Sequence, residues 1–533
     1  MVWILFALVA VFVVVVLVAV VTGRLTPDPM AEPVGPPPTT ACRRGRGPPT
    51  TSTWCASTPR CAGTAWTRLT RSSTGCSSAS PSSRWIVPVA ASVVMTTRAS
   101  TDPTTGEAGG RLPSSSWWRT SAGRSAVGRA VLARPVRALL VIYAISRLVA
   151  LLGIWVAAHY YQSPAGVGHL EPGLPDMFRL WDTEWYRRIV TEGYPIPLPA
   201  DPETGQITYS AWAFFPLFPG LVRLLMVTGL PFTAAAVLLN LALGAAAVVL
   251  VWKVLSFPGH AASQPARERL AFVAAALWCF YPATGVMLLP YTEALAAVLI
   301  AAALLMLMRG RYLTVALIAL LLGFTRGVAA PLGLAVLAHL WLRWRDDRES
   351  GTAPFAHDRT RIVLMCLATG ISGIAWPMTV GYLSGLPDAF FQVQAAWGQR
   401  PDQGPFVLWF SWAWEQRGLF AVVVMVALVA TYLALVIGRH GAWIPLEVRM
   451  WALMYPLYLF AVVRPITSMW RFLLLDFPLA ALVASVVMRT STGGRVVRHW
   501  RRRAAVVVLV LVLGVFAWSC GLLPYVPWHV TPP

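Results

Sequence analysis

Lysine and asparagine are almost absent from this chain: in 533 residues, Lys253 is the only lysine and Asn240 the only asparagine. Charge of either sign is scarce, at 12% of residues, and acids are scarcer than bases, with 22 Asp and Glu against 43 Lys and Arg. The formal net charge of +21 is therefore carried by arginine, a bias expected of a GC-rich genome. With mean hydropathy at +0.62 and a pI near 10.6, that arginine is better read as the content of short cytoplasmic loops than as a nucleic-acid surface. No nucleic-acid partner is expected.

Metal and nucleotide signatures are missing too. Four of the seven cysteines, Cys42, Cys55, Cys61 and Cys76, crowd into one segment, while Cys279, Cys366 and Cys520 lie in or beside apolar runs. None has zinc-ligand spacing. His159, His169, His260, His339, His357, His440, His499 and His529 are scattered, so no metal site is expected and no cofactor is implied. The absence of a Walker-type loop, a GxGxxG fingerprint and an HExxH pair leaves nucleotide-driven transport and zinc proteolysis without support.

What the chain has is apolar length. Hydrophobic residues make up 57% of it, gathered in runs of roughly 17 to 25, enough to cross a bilayer. The fold expected is an all-α polytopic protein of the cell membrane. Residues 1–24 read as an apolar, anchor-like helix. Residues 25–130 turn to Ser, Thr, Pro, Arg, Trp and Cys without periodicity, which suits either a disordered linker or GC-rich DNA translated out of frame. The five tryptophans and four cysteines there favour the second, with the start of one small membrane protein joined to the body of another. The body, 131–533, opens with Arg134 and Arg137 before an apolar run at 138–158.

Arginine next to that run places its start in the cytoplasm. The loop 159–211 then faces outward with Glu171, Asp176, Asp182, Glu184, Glu192, Asp201 and Glu203. Pro216, Pro219 and Arg223 interrupt 212–229, which reads as an interfacial or re-entrant helix. Further spans are read at 233–252, 270–288, 291–308, 312–325, 328–342, 362–384, 418–438, 449–463, 472–488 and 504–523, about 11 in all with the first. With 212–229 left at the surface, every arginine-rich loop falls on the cytoplasmic side and 385–417 faces outward.

Within the first outer loop, Trp181-Asp182-Thr183-Glu184-Trp185-Tyr186 puts carboxylates among aromatics at the membrane face. In a helix, Trp181, Trp185 and Arg188 share one side and Asp182, Tyr186 and Ile189 another, so the rings can seat Asp182, an exposed loop carboxylate, at the mouth of a cavity. The other reading is an ordinary aromatic belt with solvated acids. Arg326 interrupts an apolar stretch, where an arginine costs roughly 2.5 to 3.5 kcal/mol on insertion scales and calls for a phosphate or carboxylate partner. Glu293 heads a span, either as a charge favoured by the helix dipole or as a site acid. Arg464 and Arg471 stand in an outer loop against the positive-inside trend, which makes them phosphate-binding candidates.

Taken in order, Trp181-Asp182-x-x-Trp185-Tyr186 with Gly193-Tyr194, Ala213-Phe214-Phe215-Pro216-Leu217-x-Pro219 with Arg223, Pro290-Tyr291-Thr292-Glu293, and Thr325-Arg326 resemble the PIG-V-like GPI mannosyltransferases and their bacterial relatives. These are membrane glycosyltransferases of the GT-C type. The resemblance runs over about 135–525 and implies a GT-C-like bundle with interfacial helices in the first outer loop. It also implies a polyprenyl-phosphate-mannose donor, a glycolipid or glycan acceptor, and an active-site aspartate at Asp182. The family often has histidine where Trp185 stands.

On this reading Asp182 is the base and Arg326 and Arg471 hold the donor phosphate. Glu293 orients substrate or supports an arginine, and Trp181, Trp185, Tyr186, Tyr194, Arg223, Tyr291 and Arg464 complete the binding set. The competing expectations are a flippase for a polyprenyl-linked sugar and a non-catalytic membrane scaffold.

Overall fold

The computed structural model describes residues 135–258, 263–399, 404–488 and 499–526. The anchor-like run 1–24 and the segment 25–130, with its four cysteines, lie outside the described residues. Among the described residues no strand forms, and one isolated bridge joins Ala200 to Ile207. Helix satisfies its own backbone hydrogen bonds, which is what an apolar chain in lipid requires.

Helix α1, Pro135–Tyr160, buries Leu139, Tyr143, Arg147, Ala150, Ile154 and Ala157 along one stripe. Leu140, Val141, Leu148, Leu152 and Trp155 on its other faces are exposed. A helix apolar all round but buried on one side is suited to lipid. Helices α2, Asp182–Glu192, and α3, Leu217–Met226, follow within the loop region. At 10 residues α3 is too short to cross, since a span needs about 20. Next come α4, Phe232–Leu255, and α5, Gln264–Trp278, the latter stopped ahead of Pro282 and continued by a 3-10 segment, Pro282–Met287.

Helices α6, Glu293–Met308, α7, Tyr312–Gly323, and α8, Ala329–Glu349, run back and forth through short turns. The 16 residues of α6 separate Glu293 from Arg309 by roughly 24 Å, so the arginine turn and the acid stand at opposite ends. Helices α9, Arg359–Ser372, and α10, Ala375–Ser384, meet at a bend of 51°. Two helices, α11, Ala389–Ala396, and α12, Val407–Arg417, precede α13, Leu419–Ile437. Then follow α14, Leu446–Val462, a short α15, Met469–Phe472, α16, Pro478–Met488, and α17, Trp500–Gly521.

Four of these, α1, α4, α13 and α17, are long and apolar enough to cross a membrane, and up to six crossings result if each bent pair is one span. The chain thus has the helices of a membrane protein. Helix α7 packs on α9, α6 on α4, α8 on α14, α16 on α5 and α17 on α1. The first of these contacts is close: a side chain at Gly323 would begin 2.5 Å from the Ser372 carbonyl.

Three expected spans are broken, and the breaks matter: that over 270–288 ends as a helix at Trp278 and resumes as the 3-10 segment from Pro282. The stretch read as one span over 362–384 bends at Gly373, ahead of Pro377. The one over 472–488 turns by 78° between Leu475 and Pro478. A broken helix frees carbonyls that lipid cannot satisfy. Here three aromatic donors take them: Tyr455 Oη to Phe472 at 2.9 Å, Trp278 Nε1 to Leu474 at 2.8 Å, and Trp451 Nε1 to Leu475 at 3.1 Å. The break between the 3-10 segment and α6 is handled by the lone asparagine, whose Nδ2 donates to the carbonyls of Leu289 at 2.5 Å and Tyr291 at 3.0 Å. Arg147 meets the end of α5 in a similar way, donating to the Cys279 carbonyl at 3.1 Å and the Thr284 carbonyl at 2.6 Å.

Candidate active site

The acidic loop and the chain at the breaks before α6 and α16 meet around one cavity of about 580 Å³. Its walls come from α2 (Trp181, Asp182, Trp185, Tyr186), the stretch before α3 (Phe214, Phe215), and the turn after α7 (Thr325, Arg326). The end of α11 with the turn after it (Gln394, Trp397, Gln399) and the segment up to and including α15 (Arg464, Ser468, Arg471) close it.

Helix α2 forms as its spacing predicts, with Asp182, Tyr186 and Ile189 buried on one side. The expected exposed loop carboxylate is corrected: Asp182 is only 8% exposed, because its oxygen meets a guanidinium rather than water. Arg471 Nη1 lies 2.5 Å from Asp182 Oδ2 and 3.5 Å from Glu293 Oε1. Arg326 Nη1 lies 2.9 Å from the same Glu293 oxygen and donates to Thr292 Oγ1 at 3.3 Å. Glu293 itself is wholly buried. Two acids and two arginines from four separate segments thus balance in charge, as ions removed from water must.

Aromatic faces frame the group. The Arg471 guanidinium carbon sits 5.0 Å from the Tyr291 ring centroid, and that of Arg326 4.6 Å from Phe472. Trp185 stacks on Phe214 at 5.9 Å and meets Trp397 edge-on at 5.5 Å. Burial, with Asp182 and Glu293 nearby, pushes the Tyr186 phenol well above its ordinary value, so it stays a donor. Trp181, just ahead of Asp182, has φ 58° and ψ −131°, a conformation costing on the order of 1–3 kcal/mol for a residue other than glycine. Its indole holds it there, donating to the Leu523 carbonyl at 2.7 Å.

The expected residues separate into layers. Trp181, Asp182, Trp185, Tyr186, Arg326, Arg464 and Arg471 line the cavity. Glu293 and Tyr291 stand behind it, reached through the arginines. Tyr194 supports the wall, donating to the Phe214 carbonyl at 3.0 Å and stacking on Trp212 at 4.5 Å. Arg223 is not brought into the site: it is exposed on α3 and absent from the lining. Glu184 also turns away, paired with Arg187 at 2.8 Å and Arg188 at 3.0 Å. The Arg187 hydrogen bond holds its carboxyl below the usual range.

Gln394 and Gln399 carried no signal in sequence, being ordinary polar residues of a loop. Behind Arg326, Phe215 and Phe472, a second recess of about 230 Å³ is lined by Phe390, Phe391, Tyr458 and Val462 among others. Among the described residues, no group of three or more His, Cys, Asp or Glu side chains stands together to hold a metal. No family model matches the chain, and no curated protein matches it.

Proposed function

We propose that the chain is a multi-pass membrane glycosyltransferase of GT-C-like architecture, with about 11 crossings. It transfers mannose from a polyprenyl-phosphate donor to a glycolipid or glycan acceptor at the outer face of the cell membrane. The observation that carries this reading is the convergence of Asp182, Glu293, Arg326 and Arg471 on one aromatic-walled cavity. An inert scaffold has no use for such a cluster. A transporter leaves its cargo intact and has no need of a carboxylate placed to take a proton from an acceptor.

Each residue then has a task. Asp182 takes the proton from the acceptor hydroxyl as that oxygen attacks the sugar carbon, and the prenyl phosphate leaves from the opposite face, inverting the centre in one displacement. The leaving phosphate carries its own negative charge, so arginines serve it better than a proton donor does. Arg464 adds the one cation of the lining that has no carboxylate pair among the described residues. Glu293 fixes Arg326 and Arg471, and Trp185, Trp397 and Tyr209 offer ring faces to sugar. The recess beyond Arg326 would take the first units of the prenyl chain.

The test is to incubate membranes containing the protein with radiolabelled polyprenyl-phosphate mannose and identify the products. Release of polyprenyl phosphate with label on an acceptor supports transfer. Movement of the intact lipid-linked sugar across the membrane supports the flippase reading instead.

A further inference from the structure

Arg471 stands against two carboxylates and still has a donor unmet among the described residues. Its Nη1 holds Asp182 Oδ2 at 2.5 Å and approaches Glu293 Oε1 at 3.5 Å, and its Nη2 reaches Ser468 Oγ at 3.4 Å. Among the described residues its Nε is buried without a hydrogen-bond partner, although the side chain forms part of the cavity wall. A buried guanidinium donor without an acceptor is costly to leave unmet, and a shift of the guanidinium toward a phosphate oxygen in the cavity would give it one.

The two carboxylates on Arg471 are not equivalent. Glu293 is wholly buried, is shared with Arg326, and lies outside the lining. Asp182 is part of the lining, so the Asp182 contact is the one an entering ligand can replace. With Arg326 held at 2.9 Å by Glu293, the four charged groups balance before any ligand arrives. A phosphate adds negative charge, and drawing Arg471 away from Asp182 supplies the compensating donor.

We infer that Arg471 exchanges partners, leaving Asp182 for the phosphate of a prenyl-linked donor, so that filling the phosphate seat frees the base. This rests on the glycosyltransferase reading for its purpose. An oxygen of Asp182 engaged by a guanidinium cannot accept a hydroxyl proton through the same lone pair, and the exchange releases it when the sugar is in place. That oxygen, Oδ2, is thereby withheld from an acceptor hydroxyl until Arg471 turns to the phosphate. No covalent bond changes in the exchange itself.

The inference makes Asp182 a competitor of the ligand. The apparent affinity for phosphate is the intrinsic one multiplied by the fraction of molecules in which Arg471 is free of Asp182. The experiment is equilibrium binding of tritiated farnesyl phosphate to the full chain in lipid nanodiscs, for the wild type, Asp182→Asn, Arg471→Gln and the double variant. Asp182→Asn should bind about tenfold tighter and Arg471→Gln about tenfold weaker, with the gain from Asp182→Asn lost in the Arg471→Gln background. Asp182→Ser repeats the first arm should Asn disturb the fold, and farnesyl phosphate should raise Tm more in either Asp182 variant than in the wild type.

Unchanged or weaker binding in the Asp182 variants overturns the exchange, as does an equal gain without Arg471. The assay contains no sugar, so it is judged apart from transfer. Coupling without transfer activity would remove the mannosyltransferase reading and leave the exchange standing.

Discussion

The side-chain amide of Asn240 donates to the Tyr291 carbonyl at 3.0 Å, tying α4 to the break that precedes α6. The chain's one asparagine thereby sets where α6 begins, and with it the position of Glu293. Asn240→Leu fits an apolar helix yet leaves the carbonyls of Leu289 and Tyr291 unmet. The expected loss is about 1–3 kcal/mol of stability for each buried group left unpaired. Transfer should fall more than the drop in folded protein explains, because Glu293 no longer braces both arginines. Thermal unfolding in detergent beside specific activity of the folded fraction checks both.

Glu293 and Arg326 test whether that brace is electrostatic. Removing one partner of a buried pair costs about 3–5 kcal/mol, so Glu293→Gln or Arg326→Ala alone should lower Tm clearly. Arg326→Ala should also raise donor KM. The double variant Glu293→Gln/Arg326→Gln should recover part of the stability and none of the activity. Full additivity of the two losses would contradict the pairing.

Arg464 separates binding from folding. Exposed at the cavity, it has little to give the core, and surface substitutions of this kind stay within about 0.5 kcal/mol. Arg464→Gln should leave Tm unchanged and raise donor KM, with less effect at high salt as exposed charges are screened. A donor KM equal to that of the wild type at low salt would remove Arg464 from the phosphate site.

Trp397 is set apart from the other tryptophans of 385–417. It lines the cavity and meets Trp185 at 5.5 Å and Tyr209 at 4.9 Å. Trp409 instead stacks on Phe460 at 4.2 Å and donates to the Val463 carbonyl, while Trp414 is exposed. Trp397→Ala should raise acceptor KM, and Trp414→Ala should not. Equal kinetics for the two would make the whole segment a membrane anchor.

Much of this arrangement was legible in sequence where charge stands out against an apolar background. Asp182, Arg326, Arg464 and Arg471 were conspicuous for that reason, and the period of α2 predicted that Asp182 and Tyr186 share a side. What stayed hidden needed three dimensions. Nothing local says that Arg471 reaches Asp182 across nearly three hundred residues of chain, or that Glu293 serves two arginines. Arg147 and Asp476 lie in apolar runs and carried the same signal as Arg326, yet they stand outside the cavity lining: Arg147 meets carbonyls after α5, and Asp476 accepts from Tyr432 of α13 at 2.7 Å. The bends at Gly373 and before Pro478 were also missed, since a span with a break has the same hydropathy as a straight one. A second ionic chain escaped notice because its members are far apart in sequence. It runs from Glu447 through His339 and Tyr312 to Arg343 and Asp358.

The central claim is that Asp182 removes the acceptor proton in a transfer reaction. It is tested most directly by measuring mannose transfer from radiolabelled polyprenyl-phosphate mannose by purified wild type and Asp182→Asn under single-turnover conditions. Folding is checked in parallel by thermal unfolding in the same lipid. The account predicts that Asp182→Asn folds with a lowered Tm, as for the other buried pairs, still takes up the donor, and transfers about 10² to 10⁴ times more slowly, the usual loss for a missing general base. Near-normal transfer by folded Asp182→Asn, or passage of the intact lipid-linked sugar without cleavage by the wild type, would contradict it.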